Sequence, residues 1–185
     1  MPFAIVLLFD EKSDKAVRRL GRLLEKKQVP SIFLELGADP HLSLADFEDF
    51  DFERLFPRLK KIVSDFYPMP FSLSSLANFP GKAGVLFLAP IVTVELLQFH
   101  SRLHKSIRSV VQEMNPFYVP GHWVPHCTVA MNLSPKKIVK GFRIIREINF
   151  PISGRYNRLA LVKTYPRHIR PIQLVCSIPF SSKKC

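Results

Sequence analysis

Two histidine tripeptides stand out in the chain, His41-Leu42-Ser43 and His126-Cys127-Thr128. Each follows a proline, Pro40 or Pro125, and each carries a hydroxyl residue two positions after the histidine. Both run on into residues of β type, HLSLADF in one case and HCTVAMNL in the other. Alternate side chains of a strand share a face, so histidine and hydroxyl point the same way, roughly 7 Å apart at ~3.3 Å per residue. One such pair says little. Two of them, in opposite halves of a 185-residue chain, read as two facing half-sites.

The chemistry that wants this arrangement is cleavage of a phosphodiester without a metal. An imidazole titrates near ~6.5, so one can be neutral on one side of a phosphate while its partner is protonated on the other. The neutral ring takes a proton from the attacking water, and the charged ring gives one to the leaving oxygen. His41 and His126 are the expected acid–base pair. Ser43 and Thr128 would donate hydrogen bonds to the non-bridging oxygens, where negative charge must be held.

The pattern H-x-[ST]-x-hydrophobic occurs twice, the second time inside Trp123-Val124-Pro125-His126-Cys127-Thr128-Val129-Ala130. It resembles the 2H phosphoesterases, and more narrowly the bacterial and archaeal 2′-5′ RNA ligases or RNA 2′,3′-cyclic phosphodiesterases. The resemblance spans nearly the whole chain; Ser43 stands where many members carry Thr, and keeps the hydroxyl. It implies a two-lobed, pseudo-twofold cleft, and opening of a 2′,3′-cyclic phosphate at an RNA 3′ end to leave a 2′-phosphate. It further implies that His41 is the acid and His126 the base. Formation of a 2′-5′ bond would use the same groups.

Composition sets the outer bounds. The length fits a single domain over residues 1–185, made of two intertwined lobes, with enough chain to bury a core. Hydrophobic residues at 47% and charged ones at 23% are the balance of a soluble protein. The apolar run Phe3–Phe9 is too short for a membrane span and lacks a basic leader, so it reads as a buried strand. Three cysteines, Cys127, Cys176 and Cys185, show no pairing motif and fit the cytoplasm. Cys127 alternates with His126 and Thr128, so it is expected in the core rather than as a nucleophile. The 27 basic residues against 15 acidic ones give a net charge of +12, which favours a polyanionic partner such as RNA. The basic residues are unevenly spread, with two runs free of acidic residues: Arg155, Arg158, Lys163, Arg167 and Arg170, and Lys136, Lys137, Lys140 and Arg143.

The elements that must hold the motifs follow from periodicity. Strand Phe3–Phe9 leads to a helix over Asp14–Gln28, and Pro30 precedes a second strand, Ser31–Leu36. A turn delivers the His41 strand, followed by a helix over Arg54–Phe66 and strands at Phe71–Leu76 and Val85–Ala89. The second half predicts a helix from Val92 to Met114, a loop, and the His126 strand. Ser134 as cap and Pro135 at the first position then start a helix reaching Arg146. Strands Arg158–Thr164 and Ile172–Ile178 close the chain. The fold class is α+β, with two pseudo-symmetric lobes, each an antiparallel sheet flanked by helices, and both H-x-[ST] motifs in a central cleft.

Other residues have weaker signals. His100 and His104 have the i, i+4 spacing of a metal pair but no third ligand, so the flank of a helix is the default reading. Tyr118, His122 and Trp123 lie on the loop before the second motif and could meet a substrate edge, although Trp123 is expected mainly to pack. Arg167 and Arg170, on the last hairpin, could hold an RNA backbone. Asp46, Glu48, Asp49, Asp51 and Glu53 read as a cluster at a helix N-terminus. No metal and no cofactor is expected, and no membrane association. The expected partner is RNA, at 3′ ends such as those of tRNA, or a nucleotide, and the expected state is a monomer. Two rival readings remain: a non-catalytic nucleotide- or RNA-binding module, and a phosphodiesterase for small cyclic nucleotides.

Overall fold

The computed structural model of the protein describes residues 2–79, 81, 83–165 and 172–181. Its strands are β1 (Phe3–Phe9), β2 (His41–Phe47), β3 (Asp49–Phe50), β4 (Met69–Phe79), β5 (Val85–Pro90), β6 (Val111–Gln112), β7 (Cys127–Ala130), β8 (Ile152–Lys163) and β9 (Gln173–Pro179). Its helices are α1 (Glu11–Lys26), α2 (Ile32–Glu35), α3 (Phe52–Ser64), α4 (Val94–Ile107) and α5 (Pro135–Ile145). The architecture is α+β, a large antiparallel sheet with helices packed on it.

Seven strands form one hydrogen-bonded sheet in the order β2-β1-β8-β4-β5-β7, with β9 also on β8. The two halves expected as separate sheets are therefore continuous, and long β8 is the reason. One edge of β8 pairs with β1 from Tyr156 to Lys163. On the other edge β9 takes residues 158–163 and β4 takes 152–156. The two motif strands end up at opposite ends of the strand order, yet β2 and β7 approach each other in space. Strands β3 and β6 make a separate two-stranded ladder.

Alternation sorts the side chains of the sheet onto two faces. One face supplies Ile5, Leu7, Leu42, Leu73, Leu86, Leu88, Cys127 and Leu159 to a single core cluster. The helices cover that face with their apolar stripes: Val17, Leu20 and Leu24 of α1, Leu55, Leu59 and Ile62 of α3, and Leu96, Phe99, Leu103 and Ile107 of α4. Helix α5 lies on the same face, since a Cβ at Gly141 would meet the Leu86 side chain. The other face carries the motif residues.

Several boundaries differ from the sequence expectation. Helix α1 starts three residues earlier because Asp10 caps it, accepting from the Ser13 amide at 3.0 Å. The segment Ser31–Leu36 is not a strand. Ser31 caps the short helix α2, and burial of Ile32 and Phe33 under α1 overrides the β propensity of the segment. Helix α4 stops at Ile107 rather than Met114. Val111 and Gln112 leave it to pair with Phe50 and Asp49, and Glu113 takes a positive φ of 49°. Helix α3 begins at Phe52 on an Asp51 cap, with Pro57 inside it. Of the acidic residues after the first motif only Asp51 and Glu53 serve that helix start; Asp49 is in β3 and Asp46 in β2. Strand β8 begins at Ile152, six residues before the expected start.

Gly84 turns the chain into β5 at a φ of +51°, and a Cβ there would run into the Leu133 backbone. Because β5 supports motif strand β7, we expect Gly84→Ala to destabilise the fold by about 2–4 kcal/mol. Urea unfolding checks this; a loss under about 0.5 kcal/mol would show that the turn relaxes freely.

Candidate active site

His41 opens β2 and sits directly opposite Leu8 of β1, and Ser43 sits opposite Val6. Leu42 and Leu44, between and after them, are fully buried, whereas His41 and Ser43 are partly open. In the second half Thr128 is partly open between buried Cys127 and Val129. His126 lies just before β7 rather than within it. Cys127 is in the core as expected, and burial pushes its thiol up to about 12, which keeps it protonated.

Both motif strands break register at the same place. Val6 pairs with Ser43 but Ile5 with Ala45, so Leu44 is an extra residue. Phe87 pairs with Thr128 but Leu86 with Ala130, so Val129 is extra. A β-bulge therefore follows the hydroxyl residue in each half, three positions after the histidine. Nothing in the tripeptides announces it.

The two imidazoles are held in matching ways. His41 Nδ1 lies 2.6 Å from the carbonyl of Asp39, and His126 Nδ1 lies 2.7 Å from that of Val124. A carbonyl only accepts, so Nδ1 carries the proton in both rings and Nε2 is the basic nitrogen. The acceptor is in each case the residue before the proline, Asp39 or Val124.

Burial lowers both histidines from the ordinary value. The carbonyl and the charge of Asp39 draw His41 back upward. The carbonyl of Val124 does the same for His126, which is then pushed further down by charge on His41. That coupling puts the two rings within electrostatic reach of each other. Their surroundings differ: His126 is edge-on to Phe79 and Phe87, with centroids at 4.8 Å and 5.4 Å. A groove of about 50 Å³ borders His41, lined by Val6, Leu8, Gly37, Asp39, Val162, Ile172 and Leu174.

Strand β2 ends the sheet, and its outer edge is closed by side chains. His100 and His104 are not on a helix flank. Both are buried, and their Nε2 atoms lie 3.0 Å and 2.9 Å from the carbonyl of the bulge residue Leu44. His100 also donates to the Tyr118 carbonyl at 2.9 Å. Trp123 stacks on His100, with centroids 3.9 Å apart and planes at 16°, and its indole N–H donates to the Ser43 carbonyl at 3.0 Å. Trp123 is thus packed, as expected, but it also ties the loop of the second motif to the strand of the first. The i, i+4 histidine spacing was visible in the sequence; its acceptor was not, because Leu44 is 56 residues from His100.

Tyr118 stands between the half-sites. Its phenol interacts with the Ser43 side chain, and its ring centroid is 6.4 Å from that of His126. Burial, with the nearby Asp46 charge, pushes Tyr118 up to about 12, so it remains a neutral hydroxyl. His122 is exposed on the adjoining loop. Arg167 and Arg170 lie outside the described residues.

The family model of the 2′-5′ RNA ligase superfamily matches residues 8–167. A search of curated protein sequences gives no match. Among solved structures the chain is similar to TT0787 of Thermus thermophilus, with a TM-score of 0.64 and 14% identity over 97% of this chain and 98% of that one. It is also similar to E. coli LigT complexed with 3′-AMP, with a TM-score of 0.59 and 13% identity over 98% of each chain. A third similar structure, described as a phosphoesterase, gives 0.57 and 12% over 98% of each. At these identities the structural likeness speaks for the fold, and the family match for membership.

The histidine brace has a pH signature. Burial, aided by charge on His104, lowers His100 to about 4, so the folded protein prefers it neutral. The unfolded chain takes up that proton near ~6.5. Stability present above pH ~6.5 is therefore lost as pH falls toward 4, by on the order of 3 kcal/mol. We expect His100→Gln, which keeps an N–H donor, to flatten the fall. Urea midpoints at pH 7.5 and 4.5 test this; parallel losses in both proteins would remove His100 as the source.

Proposed function

The chain belongs to the 2′-5′ RNA ligase superfamily, and on that premise we propose that it is a metal-independent RNA 2′,3′-cyclic phosphodiesterase. The observation that carries the reading is the matched pair of imidazoles, each with Nδ1–H tied to a carbonyl and Nε2 left basic. Two such nitrogens within electrostatic reach can flank one phosphate.

The asymmetry of the pair supports a division of labour. Asp39 favours a proton on His41, and that charge disfavours one on His126. His41 is then the general acid and His126 the base. His126 Nε2 takes a proton from water as the water oxygen bonds to phosphorus. The bond from phosphorus to the 3′ oxygen breaks, and His41 Nε2 gives its proton to that oxygen. The product is a 2′-phosphate beside a free 3′ hydroxyl, and exchange with solvent resets both rings. Hydroxyls of Ser43 and Thr128 hold the non-bridging oxygens as charge builds on them. Tyr118, protonated and against Ser43, orients that hydroxyl. With a 5′ hydroxyl of a second RNA in place of water, the same ring opening joins the two strands by a 2′-5′ bond when the ends are held together.

The test is incubation of an oligonucleotide ending in 2′,3′-cyclic phosphate with the protein in chelator, followed by product analysis. A 2′-phosphate product is expected. No turnover, or turnover restored only by a divalent ion, would overturn the reading. His41→Ala and His126→Ala should each lower kcat by at least ~10²-fold with the fold retained.

The pH–rate profile should be bell-shaped, its limbs belonging to the coupled pair. Because burial lowers both histidines, the acid limb should lie below the ordinary imidazole range. Asp39→Asn should move the alkaline limb downward, since it removes a charge that favours protonated His41. An alkaline limb that stays in place would take Asp39 out of the assignment.

A further inference from the structure

The face of the sheet that carries the histidines also carries a cationic row. His41 is directly opposite Leu8, and Leu8 is directly opposite Arg158. Residues opposite one another in a ladder share a face, so the imidazole and the guanidinium rise from the same side, two strands apart. At ~4.8 Å per strand their Cα atoms are about 10 Å apart. The next residue, Leu159, is buried on the far side and fixes the direction in which Arg158 points; the register slips at Asn157, so Tyr156 is buried on that far side too, and Arg158 itself is exposed.

Charge on this face is one-sided. Across the seven strands the sole carboxylate is Asp46, at the far end of β2, where it is half-buried and accepts from Asn115 at 3.1 Å. Asp39, beside His41, is paired with Arg18. Arg155 is on the same face but is held in place, donating to the Pro68 carbonyl at 2.9 Å. Among the described residues no ion pair engages Arg158. The other basic run, Lys136, Lys137, Lys140 and Arg143, rides on α5 over the opposite face and cannot serve the same ligand.

We infer that Arg158 binds the internal phosphodiester immediately 5′ of the terminal nucleotide, so that the site recognises the end of an RNA strand rather than a free cyclic nucleotide. The inference rests on the phosphodiesterase reading and names its substrate class. With the terminal phosphate at the histidines, a guanidinium whose Cα is roughly 10 Å from that of His41 is within a side chain's reach of the neighbouring phosphate of the same strand. A guanidinium fork suits two phosphate oxygens, and the partly exposed apolar side chain of Leu8 leaves the intervening sugar nothing polar to displace.

The experiment compares adenosine 2′,3′-cyclic phosphate with the dinucleotide ApA ending in the same group. The wild-type protein should show a lower KM for the dinucleotide. Arg158→Gln should raise that KM about tenfold, leave kcat within about twofold, and leave the mononucleotide unchanged. Arg158→Lys should recover part of the loss. Arg146→Gln, which removes the same charge from the end of α5, should change neither substrate. If Arg158→Gln shifts both substrates alike, or neither, the inference falls while the phosphodiesterase reading stands. If the wild-type protein opens neither substrate, that reading falls. The Arg158 contact is then judged by calorimetric binding of ApA 2′-phosphate against adenosine 2′-phosphate. Equal weakening of both in Arg158→Gln, or of neither, overturns it.

Discussion

The outer edge of β2 is the constraint on which the rest of the site depends. An end strand has a row of carbonyls with no neighbouring strand to meet them. In a regular strand successive carbonyls point to opposite edges, but at the Leu44 bulge those of Ser43 and Leu44 are both met by side chains. Three rings do this: Trp123 takes Ser43, and His100 and His104 share Leu44. Removing any one leaves a buried acceptor short of a donor, which costs about 1–3 kcal/mol. It also loosens the backbone on either side of the Ser43 hydroxyl. Trp123 reaches this edge from the loop that leads into His126, so the contact that fixes one half-site also fixes its distance from the other.

Symmetry in the backbone coexists with asymmetry in the electrostatics. Each half has the same proline, the same Nδ1 contact to the residue before it, and a bulge at the same offset. That duplication gives two equivalent basic nitrogens. What distinguishes them is local: Asp39 beside one ring, Phe79 and Phe87 around the other. A pair with matching backbone contacts but different electrostatic surroundings suits the proposed acid–base chemistry on one phosphate, because at the start of a turnover one ring must be charged and the other must not.

The sheet also partitions the net charge of +12. Arg155 and Arg158 share the face of the histidines, and the lysines of α5 lie behind it. In the sequence the two basic runs look alike. In the fold only one has a line of approach to the proposed reaction centre.

The sequence by itself determined the two motifs and most of the order of the elements. The two tripeptides, the strand alternation that opens His41, Ser43 and Thr128 while burying Leu42 and Cys127, the Ser134-Pro135 helix start and the α+β class are all local patterns, set by neighbours within a few residues. Tertiary structure alone decided the rest. It made Ser31–Leu36 a helix because Ile32 and Phe33 have α1 to bury against, and it ended α4 early because Val111 and Gln112 find strand partners in β3, far back in the chain. It joined the two expected sheets through β8, and it gave His100, His104 and Trp123 their acceptors on β2. These are contacts between segments far apart in the chain. Periodicity reports which face of an element is buried, but not what it is buried against.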